Sequence, residues 1–213
     1  MITIETTGKK WKQLKAKLDA PAFVQGAAAL AREYDLVLCV DEVQTGNGRT
    51  GTLYAYQQFG IFPDVVTTAK GLGGGLPIGA CMMAPKVSRV LGSGDHGSTF
   101  GGNPVACAGA LSILSRIDDA CLAGVRERSF YIFDELTGAP GIESVSGLGL
   151  MIGVKTTRPA REVVEACLAR GVVCLTAKDR VRLLPALNIP RELLERGIQV
   201  LKEEAAKAPV ASA

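Results

Sequence analysis

The sequence predicts an α/β fold. Apolar runs of strand length alternate with segments of helical periodicity, those runs read as fully buried strands, and the composition is that of a globular chain with a sizeable core. The hydrophobic fraction is 47%, the charged fraction 21% and the aromatic fraction 5%, which excludes disorder, a collagen-like repeat or a coiled coil as the main architecture. With 213 residues the chain is about 1.4 times a common domain length, so one large domain or one and a half small ones are expected.

Taken in order, residues 1–20 are polar and lysine-rich, with weak periodicity around the lone Trp11. Residues 22–34 (AFVQGAAALAREY) predict a helix, and 36–40 (LVLCV) a fully buried strand. After a glycine-rich turn, LYAYQQF predicts a short helix, and residues 64–68 and 78–84 two further strands. Asn103-Pro104 opens a helix of small residues to about residue 117, since asparagine caps a helix and proline suits its first turn. A charged helix follows over 119–137. Strands are then expected at 143–145 and 148–154, a helix over 159–170 closed by Gly171, strands at 172–175 and 181–184, and a last amphipathic helix from Pro190 to about residue 206. The texture changes near residue 116. This gives an opening segment 1–20, a glycine-rich layer over 21–116 and a smaller α+β layer over 117–213.

A net charge of +3, evenly spread, does not call for a nucleic-acid partner. The six cysteines at 39, 81, 107, 121, 167 and 174 contain no CxxC pair, and His96 is the one histidine, so no zinc set or other metal site is expected. Cysteines within apolar stretches read as reduced core thiols of a cytoplasmic protein. The opening MITIETTGKKWKQLKAKL lacks the long apolar run of a secretory leader, and no apolar stretch approaches the length of a membrane span.

Two motifs fail on inspection. LVLCVDE resembles a Walker B strand, but no GxxxxGK[ST] accompanies it. Gly147-Leu-Gly149-Leu-Met-Ile-Gly153 is one residue off the dinucleotide fingerprint and runs into Lys155-Thr-Thr-Arg-Pro, so it reads as strand.

What remains is an acid ending one apolar run and a lysine ending the next. Asp41 follows LVLCV, and Lys70 follows DVVTTA and precedes Gly71-Leu-Gly73-Gly74-Gly75. Their separation leaves room for a crossover helix, so the two strands are expected as parallel neighbours, with both residues at the carboxyl edge where open α/β sheets bind ligands. An amine in an apolar, glycine-lined pocket is costly to keep charged and becomes a nucleophile. A carboxylate beside it suits a cationic ring nitrogen, a charge-assisted bond contributing roughly 1.5–3 kcal/mol. This outlines a Schiff-base cofactor site.

At these residues the resemblance to a family becomes specific. VDEVQTGNGRTG (40–51), PDVVTTAKGLGGGLPIGA (63–80) and HGSTFGGNPVACA (96–108) resemble the signature blocks of class III pyridoxal-phosphate aminotransferases, closest to the acetylornithine/ornithine type. VRLLPALNI (181–189) is similar to the family's arginine-proline segment. The resemblance implies a fold-type I transferase, pyridoxal 5'-phosphate as cofactor, and an amino acid and a 2-oxo acid as substrates. Lys70 would bind the cofactor covalently and move the substrate proton. Asp41 would pair with the pyridinium nitrogen, and Val43, on the same strand face, would pack on the ring. Gln44 would bond the phenolic oxygen, and Thr99 the cofactor phosphate of a neighbouring subunit, making a homodimer the catalytic unit. Arg182 would clamp a substrate carboxylate. Arg49 and Gly46, Gly48 and Gly51 read as turn-formers.

The family's N-terminal half, which supplies the phosphate cradle, a stacking aromatic ring and a further arginine, has no counterpart before Ala22. An incomplete large domain is therefore expected over 21–116, with an exposed sheet edge and an uncovered apolar face, beside a small domain over 117–213. The alternative to an active aminotransferase is a truncated, catalytically inactive product that at most associates with an intact subunit.

Overall fold

The computed structural model describes residues 2–3 and 20–208. The lysine-rich opening segment with Trp11 otherwise lies outside the described residues. The chain divides into two units, Met1–Asn47 with Thr52–Asp118, and Gly48–Gly51 with Asp119–Ala213.

In the first unit, helix α1 (Ala20–Glu33) repeats small apolar residues at helical spacing and buries Val24, Ala27, Ala28 and Ala31. They pack with Leu38, Val40 and Ile61 into one cluster, flanked by Phe59 of a 3-10 turn (Ala55–Phe59). The sheet is ordered β1 (Ile2–Thr3), β2 (Cys39–Asp41), β3 (Val65–Thr68), β4 (Ala80–Met83). Strands β2 and β3 are parallel, with Cys39 opposite Val65, Val40 opposite Val66 and Asp41 opposite Thr67. The expected parallel neighbours are present, but their connection holds the five-residue 3-10 turn in place of a crossover α-helix. Strand β2 is also shorter than residues 36–40, and Val37 is exposed, so that run is not buried on both faces.

Strand β4 departs most from expectation. It runs antiparallel to β3 and all four of its residues are exposed, where the sequence predicted a buried strand. Apolar character alone does not separate a buried strand from an edge strand whose covering is absent. The helix α2 (Pro104–Leu114) is capped as predicted, Asn103 Oδ1 accepting the Ala106 N–H at 2.9 Å.

The second unit is α+β. Its sheet is antiparallel throughout, in the order β5 (Ile142–Leu148), β6 (Met151–Thr156), β8 (Arg180–Leu183), β7 (Leu175–Ala177). Strict alternation on β6 sends Ile152, Val154 and Thr156 inward. Against this face lie Val125, Ile132 and Leu136 of α3 (Asp119–Leu136), Val163 and Cys167 of α4 (Ala160–Ala169), and Leu194, Ile198 and Leu201 of α5 (Arg191–Ala205). The run 147–153 is the end of β5, the turn at Gly149-Leu150 and the start of β6, not one strand. The expected strand at 172–175 is displaced to β7, which joins β8 through Lys178 in the left-handed region at φ 56°. Of the six thiols only Cys167 is buried; Cys81 is exposed and the rest are half-buried, so most are not core thiols.

Two charged groups are buried in this unit among the described residues, Arg158 and Glu204. Glu204 on α5 is 2% exposed. Its carboxylate takes Lys207 Nζ at 2.7 Å on both oxygens and Arg170 Nη1 at 3.0 Å, with Arg158 Nη1 at 3.8 Å. The Lys207 bond, followed by Arg170, holds the carboxyl below its ordinary value against the opposing effect of burial. A depressed folded value stabilises the unit fully above the ordinary carboxylate range, and that contribution is lost as pH falls through the folded value. Glu204→Gln is expected to lower stability by about 1–3 kcal/mol at neutral pH and to flatten the acid limb. Urea titrations at pH 7 and pH 3 check this: the two proteins should differ at pH 7 and the gap should narrow towards pH 3, and equal midpoints at pH 7 would contradict it.

Candidate functional site at the carboxyl ends of two parallel strands

The parallel register carries two of the predicted site residues to one sheet edge. Asp41 is the last residue of β2, and the Glu42 N–H donates to the Thr67 carbonyl at 2.8 Å, extending the ladder one residue further. Asp41 Oδ1 accepts the Val43 N–H at 3.0 Å and the Thr67 hydroxyl at 3.5 Å. The first bond folds the chain into an Asx turn. Val43 therefore leaves the strand and sits half-buried in the turn, so the expectation that it shares Asp41's strand face by alternation does not hold. Gln44 is exposed in the same turn.

Glu42 is a residue the sequence reading passed over. Its side chain is 1% exposed. One carboxylate oxygen accepts the Tyr56 N–H at 2.9 Å and the other the Thr45 hydroxyl at 2.5 Å. It thus ties the turn to the 3-10 segment that follows. The available signal was an acid with threonine three residues on, a local capping pattern.

Lys70 follows β3 after Thr68 and Ala69 and opens a 3-10 turn (Lys70–Gly73). Its backbone lies in the left-handed region at φ 49°, which costs a lysine about 1–2 kcal/mol. The residue is exposed, so the enclosed apolar pocket expected from its neighbours is not formed by the described residues. Beneath it lies a second overlooked residue. Asn47 Nδ2 donates to Thr68 Oγ1 at 3.0 Å and to the Ala69 carbonyl at 3.1 Å. The Tyr54 hydroxyl also bonds Thr68; burial raises the Tyr54 phenol above its ordinary value, and the Thr68 bond opposes that.

The glycine loop after Lys70 is held by α2. A Cβ on Gly109 would stand 2.7 Å from Leu76 Cδ1 and 3.3 Å from the Gly73 carbonyl, and one on Gly74 (φ 60°) 2.7 Å from Ile113. Helix and loop approach closely at Gly109, where a side chain would press on Leu76 and crowd the Gly73 carbonyl.

The remaining predicted residues are not brought to this edge by strand pairing. Thr99 is exposed in the loop before α2, next to an open groove of about 740 Å³ lined by His96, Ser98 and Asn103. Arg182 is in the second unit, half-buried on β8 opposite Gly153 and Leu175. Arg49 does more than form a turn. It donates to the Leu150 carbonyl at 3.3 Å and to the Pro185 carbonyl, and burial lowers its guanidinium below its ordinary value. Gly48–Gly51 accordingly belongs with the second unit.

The chain as a whole resembles known proteins. The family model for aminotransferase class-III matches residues 16–204. An acetylornithine aminotransferase from Haemophilus ducreyi is 50% identical over 184 residues, which is 85% of this chain and 47% of the relative. The solved N-acetylornithine aminotransferase from Stenotrophomonas maltophilia is similar with a TM-score of 0.78 and 33% identity, over 87% of this chain and 51% of that one. The ornithine aminotransferase from Toxoplasma gondii, described with partial occupancy of PLP at its active site, gives a TM-score of 0.81 and 31% identity over 89% and 47%. The chain spans about half the length of the curated relatives it matches.

The close approach of α2 predicts a reversal of a common rule. Glycine to alanine inside a helix ordinarily gains about 1 kcal/mol. Gly124→Ala in α3 meets only the flexible end of Arg128 and should keep that gain. Gly109→Ala meets Leu76 and backbone, and should instead lose about 1–2 kcal/mol through overpacking. Calorimetric unfolding midpoints of the two variants should move in opposite directions; a gain for both would contradict the packing described.

Proposed function

The chain belongs to the class-III aminotransferase family, whose fold is that of fold-type I enzymes and whose cofactor is pyridoxal 5'-phosphate, and on that premise we propose that it serves amino-group transfer from N-acetylornithine or a similar ω-amine to 2-oxoglutarate, a step of arginine biosynthesis. The observation that carries the reading is the β2–β3 register, which sets a carboxylate and a primary amine at the ends of adjacent parallel strands. That donor pair fits the ring-nitrogen and aldehyde ends of the cofactor. We further propose that the first unit is a partial cofactor-binding domain, the second the small domain, and the working assembly a cytoplasmic homodimer. Among the described residues no helix is long and apolar enough to cross a membrane.

When bound, the cofactor supplies an electron sink conjugated to the substrate nitrogen. The chain's own residues do the rest. Asp41, its carboxylate oriented by the Val43 N–H and the Thr67 hydroxyl, would pair with the ring nitrogen and keep it protonated. Lys70 would hold the cofactor through its amine and would serve as the base for the proton at the substrate Cα. Val43, from the turn and not from the strand face, would pack on the ring, Gln44 would bond the phenolic oxygen and Thr99 the phosphate across a dimer. Arg182 would clamp a substrate carboxylate, a planar bidentate role for which lysine is a poor substitute.

A second reading is favoured by the four exposed residues of β4. In it, the chain is a catalytically inactive product that at most associates with an intact subunit.

Incubation with pyridoxal phosphate, borohydride reduction and peptide mapping test the cofactor assignment. The label is expected on Lys70 and absent from Lys70→Ala, while Asp41→Ala should depress amino transfer on the order of 100-fold or more. A label spread over surface lysines would sink the assignment. Glutamate formation from N-acetylornithine and 2-oxoglutarate, with and without an intact relative, separates the two readings.

A further inference from the structure

We propose that Asn47 is the positioning residue for Lys70: its carboxamide fixes the peptide unit that precedes the lysine and so sets the direction in which the amine leaves the backbone. The inference rests on the reading of Lys70 as the cofactor lysine. It begins with the acceptor. The Ala69 carbonyl belongs to the same rigid plane as the Lys70 N–H, so holding that oxygen restrains φ of Lys70. Two donors converge on it, Asn47 Nδ2 at 3.1 Å and the Leu72 N–H at 3.1 Å. The lysine is thereby kept at φ 49°, a value that lysine does not favour by itself. Relaxation to negative φ would turn the plane and redirect the side chain.

The residue type suits the post. Asn47 is itself at φ 54°, a region asparagine visits more readily than other residues with a Cβ. It is 6% exposed, and its second donor bond goes to Thr68 Oγ1. The side chain therefore spans from the turn after β2 to the end of β3, beneath Lys70. Its orientation is dictated by chemistry, because the Ala69 carbonyl only accepts, and a flipped amide would set two oxygens against each other.

This arrangement leaves Asn47 Oδ1 buried without a hydrogen-bond partner among the described residues. A buried unpaired acceptor costs about 1–3 kcal/mol. The chain thus carries two local costs at one place, the orphaned oxygen and the left-handed lysine. Such strain persists only where the surroundings over-determine it, and it clusters where a reacting group must be held. A proton-transferring amine needs that control, since a misplacement of about 1 Å costs on the order of 100-fold in rate.

The test uses the full chain with Asn47→Gly, which keeps the left-handed turn without the donor, and Asn47→Asp, which sets a carboxylate against the Ala69 carbonyl. Two readouts are taken: hydrogen exchange at the Leu72 amide without cofactor, and the rate and pH midpoint of pyridoxal phosphate attachment, mapped by borohydride reduction. Both variants should speed Leu72 exchange by about tenfold or less, the loss of one hydrogen bond. They should also slow attachment at Lys70 by about 10- to 100-fold and displace its pH midpoint. A merely structural residue would lower the unfolding temperature yet leave rate and midpoint at their original values, and that result overturns the inference alone. No label on Lys70 in the unsubstituted chain overturns both the inference and the reading beneath it. Should Asn47→Asp not fold, Asn47→Gly carries the comparison, because glycine accepts the backbone angle natively.

Discussion

The three residue pairs between β2 and β3 are the constraint on which the site depends. Parallel pairing makes both strands end at the same edge, and the register puts Asp41 beside Thr67, three residues before Lys70. A slip of one residue would turn Asp41 to the opposite face and break its bond to the Thr67 hydroxyl. What specifies the register is partly packing, with Val40 and Val66 both buried at paired positions, and partly the loop ends. Asp64 Oδ2 accepts the Leu38 N–H at 2.9 Å, and the Asp64 and Val65 N–H groups both donate to the Leu38 carbonyl. These bonds clamp the strand starts, as Glu42 and Asn47 clamp their ends.

The turn from Asp41 to Asn47 then works as a bracket around the end of β3. Asp41 bonds back onto Thr67, and Asn47 onto Thr68 and Ala69, so consecutive residues of the lysine strand are each gripped from the neighbouring turn. On the other side, α2 presses its glycine against the loop that follows Lys70. The lysine is held from before and after through its backbone while its side chain remains exposed. Restraint of a lysine through its backbone is compatible with an exposed side chain, which restraint by burial is not.

Much of this was legible in the sequence, and the limits have physical causes. The helices were readable because their apolar periodicity and the Asn103-Pro104 cap are local signals. The placement of Asp41 and Lys70 after neighbouring strands was readable because each follows an apolar run. Strand β4 was misread because ACMM looks the same whether or not anything covers it. Val43 was misplaced because alternation was extended through a residue whose N–H is captured by Asp41, and no periodicity announces an Asx turn. Asn47 and Arg49 act through carbonyl oxygens of residues distant in sequence, and backbone acceptors leave no trace in a residue pattern. For the same reason the assignment of Gly48–Gly51 to the second unit was invisible beforehand.

The measurement that bears most directly on the account is a crystal structure of the full chain grown with pyridoxal phosphate. Continuous density is expected from Lys70 Nζ to the cofactor, with the ring nitrogen within hydrogen-bond distance of the Asp41 carboxylate and Lys70 still at positive φ. Cofactor density joined to another lysine, or a ring nitrogen turned away from Asp41, would contradict it.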